Sequence, residues 1–198
     1  MKNLLFKIDQ RIRYFLMLDT ETCNTLSING KLDMSNALTY DIGIAICDKR
    51  GKIYLTKSYI VKEILEICEW FDIDTVVSHN ARFDNNTLKV TQRYNTYSKY
   101  RFYLPFIFKY YDTLKMAKDT ICKQKSYIKF CEENGYMTKH KTPRVRLTAE
   151  ILYRFISKDL DFEESHTGLE DVDIERQILA YCFKRRATIS DMTLYKGE

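Results

Sequence analysis

Apolar runs separated by short polar segments dominate the first 80 residues of the chain. These runs predict strands over residues 14–21, 40–47, 52–60 and 75–78. The polar residues 48–51 form a tight turn, so the second and third strands are expected to pair antiparallel. The run over 14–21 is apolar until it meets Asp19, which indicates a buried central strand that ends in polar residues.

Apolar residues at a spacing of three and four then predict helices over residues 61–71, 81–94, 114–118, 126–134, 148–158 and 168–186. A fifth short strand is predicted over residues 110–113. Glycine and proline are rare, and we find no linker, internal repeat or low-complexity segment. Three antiparallel strands followed by strands alternating with helices predict a single α/β domain over residues 1–198, with a mixed sheet flanked by helices.

The last predicted helix has a clear start signal. Thr167 and Glu170 have the spacing of a capping box, with Thr167 before the helix and Glu170 at its third position. An apolar stripe at helical spacing follows, formed by Leu169, Val172, Ile178, Leu179, Cys182 and Phe183. His166 therefore belongs to the loop before the helix, and Asp171 to its first turn and a half.

Composition excludes several classes of protein. With 45% hydrophobic and 30% charged residues, the chain has the make-up of a soluble globular protein. No apolar run is long enough for a membrane span, and charges interrupt the N-terminal segment too early for a signal peptide. Six cysteines without a CxxC pair argue against a zinc site and favour a reducing compartment. We expect a cytoplasmic protein that does not associate with membranes.

The distribution of charge is more informative than its sum, a formal +5. Basic residues cluster away from the acidic motifs, at Lys139–Lys141 with Arg144 and Arg146, and again at residues 184–186. An acidic pocket in basic surroundings suits a polyanionic substrate. Lysines that only keep the surface soluble are an equally good explanation of runs this mild.

Two acidic motifs follow predicted strands. Asp19 and Glu21 end the first strand, where alternate residues face the same way. Asn80 and Asp84 follow the strand over 75–78. Alone, each motif is weak: two carboxylates can simply face solvent, and Asn80 can serve as a helix cap.

A third motif, His166 with Asp171, spans the start of the last helix, where it could also serve only the helix dipole. The three motifs together are more informative than each one alone, because all lie at the ends of predicted elements. Four carboxylates and a histidine brought together in this way are what two divalent cations and an activated water need to cut a phosphodiester.

The segments FLMLDTET (15–22), HNARFDNNTLK (79–89) and HTGLEDVDIE (166–175) resemble the motifs of DEDDh (DnaQ-like) 3′–5′ exonucleases of the ribonuclease-H-like superfamily. The resemblance spans most of the chain and implies the ribonuclease-H-like fold. The third motif and the composition also resemble phage or prophage members, which would place the protein in the host cytoplasm.

The resemblance implies a role for each matching residue. Asp19, Glu21, Asp84 and Asp171 would hold two Mg²⁺ or Mn²⁺ ions, which prefer oxygen ligands. His166 would be the general base that takes a proton from the attacking water. The five-residue step from His166 selects Asp171 rather than Asp173 as the ligand.

The implied activity is removal of nucleoside 5′-monophosphates from the 3′ end of a nucleic acid, with single-stranded DNA preferred over RNA or short oligonucleotides. Thr22, Leu26 and Asn80 are candidate substrate-binding residues. The glycine that the family often has after the first motif is missing from residues 23–26, which puts substrate preference in question. A non-catalytic nucleic-acid-binding or polymerase-accessory module, or a phosphodiesterase acting on short nucleotides, remains an alternative. The sequence does not indicate a protein partner.

Overall fold

One mixed sheet organises the described part of the chain. The computed structural model describes residues 8–9, 11–23, 37–59, 67–68, 70–96, 109–185 and 194–195. The strands are β1 (Phe15–Cys23), β2 (Leu38–Cys47), β3 (Ile53–Tyr59), β4 (Thr75–Ser78), β5 (Lys109–Asp112) and β6 (Leu194–Tyr195). Their order across the sheet is β3-β2-β1-β4-β5-β6.

Strand directions follow the predicted pattern. β1 pairs antiparallel with β2, and β2 with β3, whereas β4 runs parallel to both β1 and β5. The expected fold class, three antiparallel strands followed by parallel strands with flanking helices, is confirmed. β6, which pairs antiparallel with β5, was not predicted, because two residues are too few to carry a periodic signal.

The helices are α1 (Ala81–Thr96), α2 (Thr113–Thr120), α3 (Lys125–Glu133), α4 (Ala149–Ser157) and α5 (Gly168–Arg185). Their bounds, and those of β1–β5, agree with the predicted ranges to within two residues at each end. The helix predicted over 61–71 lies largely outside the described residues. None of the described helices is long and apolar enough to cross a membrane.

Alternate residues of β1 pack into two separate cores, one on each face of the sheet. Phe15 and Met17 belong to the first core, which includes buried residues of α2–α5. Leu16 and Leu18 belong to the second, with Leu88 of α1. Because side chains alternate along a strand, Asp19 and Glu21 continue the row that faces α5, and Thr20 the row that faces α1.

A backbone contact fixes the start of α5 against the sheet. Gly43 of β2 is the partner of Asp19 in the β1–β2 pair. A Cβ atom on Gly43 would lie 1.8 Å from the carbonyl oxygen of Gly168 and 2.8 Å from the backbone nitrogen of Leu169. Only glycine allows this approach, so the first turn of α5 lies directly beside the strand pair that carries Asp19.

Gly43→Ala should therefore destabilise the protein, because the added methyl group meets backbone atoms that cannot rotate away. Overpacking of this kind costs about 1–3 kcal/mol or more. Gly135→Ala is the matched control: Gly135 has φ 73° and open space around it, so its cost of about 1 kcal/mol is conformational only. Thermal melting of both variants tests the contact, and a Gly43→Ala protein as stable as Gly135→Ala would contradict it.

Candidate metal centre

Three carboxylates converge where β1 meets the start of α5. One oxygen from each of Asp19, Glu21 and Asp171 lies within 4.8 Å of the others. Asp171 is only 8% exposed, and its Oδ1 has no hydrogen-bond partner. Asp173, the neighbouring acidic residue, instead accepts hydrogen bonds from the guanidinium of Arg176. The structure thus brings together three of the four carboxylates that the motifs singled out.

The end of β1 is irregular at this point. The register between β1 and β2 shifts between Glu21 and Thr22, as at a β-bulge. A bulge bends the strand and changes the direction of the side chains that follow it. Thr22, a candidate substrate-binding residue, is half-buried just beyond the shift.

Asp84 approaches from the other face of the sheet. It lies in the first turn of α1, is 3% exposed, and accepts a hydrogen bond from the Thr20 hydroxyl at 2.8 Å. Its Oδ2 has no hydrogen-bond partner. Burial, followed by the nearby charge of Asp19, raises the pKa of Asp84 well above its usual range. Thr20 therefore orients the fourth carboxylate, a role that the motif analysis missed.

Glu175 is a further buried carboxylate that the motif analysis missed. It lies one helical turn after Asp171, is 2% exposed, and accepts a hydrogen bond on Oε1 from the backbone N–H of His79 at 2.7 Å. Its Oε2 has no partner. Burial, and then the charges of Asp19 and Asp84, raise its pKa well above the usual range.

The sequence did contain a signal for Glu175. The buried face of α5 includes Gly168, Asp171, Val172, Glu175, Ile178, Leu179 and Cys182. Glu175 occupies a position of this face where a hydrophobic residue is the ordinary choice. The predicted stripe was wrong at Leu169, which is 41% exposed, because this residue lies to one side of the buried face.

Glu164 is a second acidic residue found only in the structure. It is half-buried in the loop before α5, and its pKa is raised by burial first, while the neighbouring Asp171 and His166 act in the opposite direction. Glu164 is therefore a neighbour of Asp171, and it precedes the candidate base by two residues. Its position in an irregular loop carries no periodic signal that a sequence pattern could reveal.

His166 is exposed on the loop that leads into α5. Its backbone lies in the left-handed region at φ 55°, which is uncommon for a residue other than glycine. The Glu170 carboxylate accepts a hydrogen bond from the backbone N–H of Ser165 at 3.1 Å. The predicted capping box was wrong in both of its hydrogen bonds: Glu170 accepts from Ser165 instead of Thr167, and the Glu170 N–H donates to the backbone carbonyl of Thr167 at 3.0 Å while the Thr167 hydroxyl lies 3.3 Å from that of Ser165.

His79 links four segments around the site. Its Nε2 donates to the Leu147 carbonyl at 2.9 Å, so Nδ1 is left to accept from the Thr113 hydroxyl at 2.8 Å. Its backbone N–H donates to Glu175. Burial lowers the pKa of the imidazole, which favours the neutral ring that this pair of hydrogen bonds requires.

The remaining candidate substrate residues have different surroundings. Asn80 is exposed at φ 64°, and its backbone N–H donates to Asp112 at 3.1 Å. Asp112 also caps α2 through the backbone N–H of Leu114. Leu26 lies outside the described residues.

The donor set fits hard divalent cations. Asp84, Asp171 and Glu175 each have a buried carboxyl oxygen without a hydrogen-bond partner. Such atoms are costly in a folded protein unless a cation compensates them. Mg²⁺ and Mn²⁺ prefer oxygen ligands, and Asp19, Glu21, Asp84 and Asp171 offer carboxylates from both faces of the sheet.

Without metal, the stability of the protein should fall as pH rises from about 4 to about 9. Burial, and then the adjoining carboxyl of Glu21, raise the pKa of Asp171 from 3.8 to about 9. An acid with a raised pKa in the folded state stabilises the fold below its unfolded pKa and loses that contribution as pH rises through the folded one. Asp171→Asn should flatten this fall in thermal melts with EDTA.

The comparison of the two proteins isolates Asp171, because His79, Asp84 and Glu175, whose pKa values are also shifted, are present in both of them. Saturating Mg²⁺ should restore the stability of the wild type at high pH, since the cation binds the ionised carboxylates. Equally steep curves for wild type and variant in EDTA would contradict the assignment.

Glu175→Gln should raise the melting temperature in EDTA at pH 8. The amide oxygen can still accept from the His79 N–H, while the buried charge is removed. Glu175→Leu should melt below Glu175→Gln, because an unsatisfied buried N–H costs about 1–3 kcal/mol. Glu132→Gln, at an exposed position of α3, is the matched control and should melt as the wild type does. A Glu175→Gln protein that melts below the wild type would refute this account.

No protein-family model and no curated protein sequence matches the chain. Among solved structures, the chain is similar to a 3′-exonuclease that recognises the 3′ end of the histone mRNA stem-loop, with a TM-score of 0.55, 9% identity, and coverage of 95% of this chain and 92% of that one. Exonuclease X in complex with 5′-overhanging duplex DNA matches with a TM-score of 0.45 and 15% identity over 89% and 95%. The similarity to the first of these structures shows that the two chains share a fold.

Proposed function

We propose that the protein is a metal-dependent nuclease that hydrolyses phosphodiester bonds from the 3′ end of a single-stranded nucleic acid and releases nucleoside 5′-monophosphates. One observation carries the proposal: the oxygens of Asp19, Glu21 and Asp171 lie within 4.8 Å of one another, beside the buried carboxylate of Asp84. Crowded carboxylates of this kind are costly without cations and useful with them. DNA is the proposed preferred substrate, ahead of RNA.

The four carboxylates would hold two Mg²⁺ or Mn²⁺ ions, which supply activation of the attacking water and stabilisation of the leaving oxygen. The fold itself contributes by holding the carboxylates in fixed positions. Thr20 holds the Asp84 carboxylate from one face, and the Gly43 contact holds the start of α5 from the other. Ligands fixed in this way require little rearrangement as charge develops on the phosphate.

His166 is the proposed general base, which accepts a proton from water on a ring nitrogen. Its exposed position leaves the ring open to water, and Glu164, two residues before it in the same loop, is proposed to pair with the ring. Glu164 is therefore a proposed positioning residue for His166.

The similarity of fold supports the proposal only in part, because one fold hosts many functions. The relative that recognises the histone mRNA stem-loop is itself a 3′-exonuclease, so this arrangement of strands and helices can carry the proposed chemistry. The arrangement of the carboxylates is the more specific support for nuclease activity.

The proposal can be tested with a DNA and an RNA single strand of one sequence, about 20 nucleotides long and labelled at either end. Each is incubated with Mg²⁺, Mn²⁺ or EDTA. We expect metal-dependent shortening from the 3′ end and release of 5′-monophosphates. Asp19→Asn should abolish turnover, and His166→Ala should reduce it by about 10²–10⁴-fold. Glu132→Gln, remote and exposed, should retain it.

Other outcomes separate the alternatives. Binding of either strand without any metal-dependent product would favour a nucleic-acid-binding module. Cleavage restricted to di- and trinucleotides would favour a phosphodiesterase of short nucleotides. An Asp19→Asn protein that digests substrate at the wild-type rate would refute the assignment of the site.

A further inference from the structure

A short hairpin between α3 and α4 carries a dense group of positive charges. We name residues 136–146 the cationic hairpin. Its two arms are joined by hydrogen bonds from Thr138 N–H to the Arg144 carbonyl at 2.8 Å and from Arg146 N–H to the Tyr136 carbonyl at 3.0 Å. The exposed cations along it are Lys139, Lys141, Arg144 and Arg146, with His140 between the lysines.

The base of the hairpin is held firmly. Apolar residues at both arms, including Tyr136 and Val145, pack against the first core, on the face of the sheet that carries Asp19 and Glu21. The Tyr127 hydroxyl donates to the Arg146 carbonyl, and Arg154 donates to the Tyr136 hydroxyl at 2.7 Å. The charges are thus carried on an ordered segment.

In the part of the chain that the structure describes, the hairpin cations have no acidic partner, in contrast to three of the arginines. Arg13, Arg154 and Arg176 each form an ion pair, with Asp74, Glu150 and Asp173 respectively. Within the described residues, none of the four hairpin cations forms an ion pair. Four like charges on one short segment repel one another, and a polyanion relieves that repulsion.

The hairpin leads directly to the carboxylate site. The residue that follows it, Leu147, accepts a hydrogen bond from the ring of His79. The backbone of His79 in turn donates to Glu175, one helical turn from Asp171. A chain of two hydrogen bonds therefore joins the base of the hairpin to the helix that bears the ligand.

We propose that the cationic hairpin binds the phosphate backbone of the nucleic-acid strand whose 3′ end occupies the carboxylate site. This inference rests on the proposed function and adds a substrate preference to it. A hairpin arm of five residues spans up to roughly 15 Å where it is extended, and its base connects to the helix of Asp171 through Leu147, His79 and Glu175. The cations at the tip are therefore expected to meet phosphates several nucleotides from the 3′ end rather than the terminal one.

Longer strands should therefore bind better than very short ones. Each phosphate that a cation neutralises releases counterions, so the dependence of binding on salt reports the number of such contacts. For single strands, each contact contributes about 0.7 to the slope of log K against log salt. A trinucleotide in the site does not extend to the tip of the hairpin.

The test compares two variants that remove the same charge. Lys139→Ala/Lys141→Ala acts on the hairpin, whereas Lys49→Ala/Arg50→Ala acts on exposed cations in the β2–β3 turn, which lies beside the Phe15 end of β1. Binding of a labelled single strand of about 20 nucleotides is measured in EDTA over a range of NaCl concentrations. The hairpin variant should lower the slope by about 1.4, and the turn variant should leave it unchanged.

Thermal melting of both variants verifies that they are folded. In Mg²⁺, the ratio of kcat/KM for the long strand to that for a trinucleotide should also fall in the hairpin variant. Equal effects of the two pairs on binding, or no change of slope in the hairpin variant, would overturn the proposal. Because binding is measured in EDTA, a wild type that binds but cuts no substrate refutes the proposed function and leaves the hairpin test intact.

Discussion

The geometry of the carboxylate site depends on one close approach between a strand and a helix. Gly43 and Gly168 bring the backbones of β2 and α5 together beside Asp19, with no side chain between them. Asp171 follows Gly168 within one turn of α5, and His166 precedes Gly168 by two residues. A larger residue at Gly43 would separate the strand-borne carboxylates from the helix-borne one.

Packing α5 this close to the sheet buries several carboxylates, and burial of their charges is unfavourable. Asp84, Asp171 and Glu175 have raised pKa values, each primarily because it is buried. The hydrophobic rows on both faces of β1 supply the stability that keeps these carboxylates together. Their crowding is what a site for divalent cations requires, so the least favourable part of the fold is also its best candidate for function.

The sequence predicted the strands and helices well, because each has a clear period of two or 3.6. It also singled out Asp19, Glu21, Asp84 and Asp171, since carboxylates that interrupt an apolar pattern are easy to see, although Asp19 lies in the middle of β1 and not at its end. Gly43 could not be singled out, because its importance lies in a contact 125 residues away in sequence. Glu164 and the turned backbone at His166 depend on loop conformation, which has no periodic signature, whereas Glu175 was visible as a charge within the buried stripe of α5.

Two of the carboxylates of the site come from helices that pack on opposite faces of the sheet. Asp84 is attached to the layer formed by α1, whereas Asp171 is attached to the layer formed by α5, and β1 lies between the two. Any ligand that binds both carboxylates ties the outer layers together across the sheet. Local opening of either layer then has to release that ligand first, so occupancy of the site would couple the stability of the two layers.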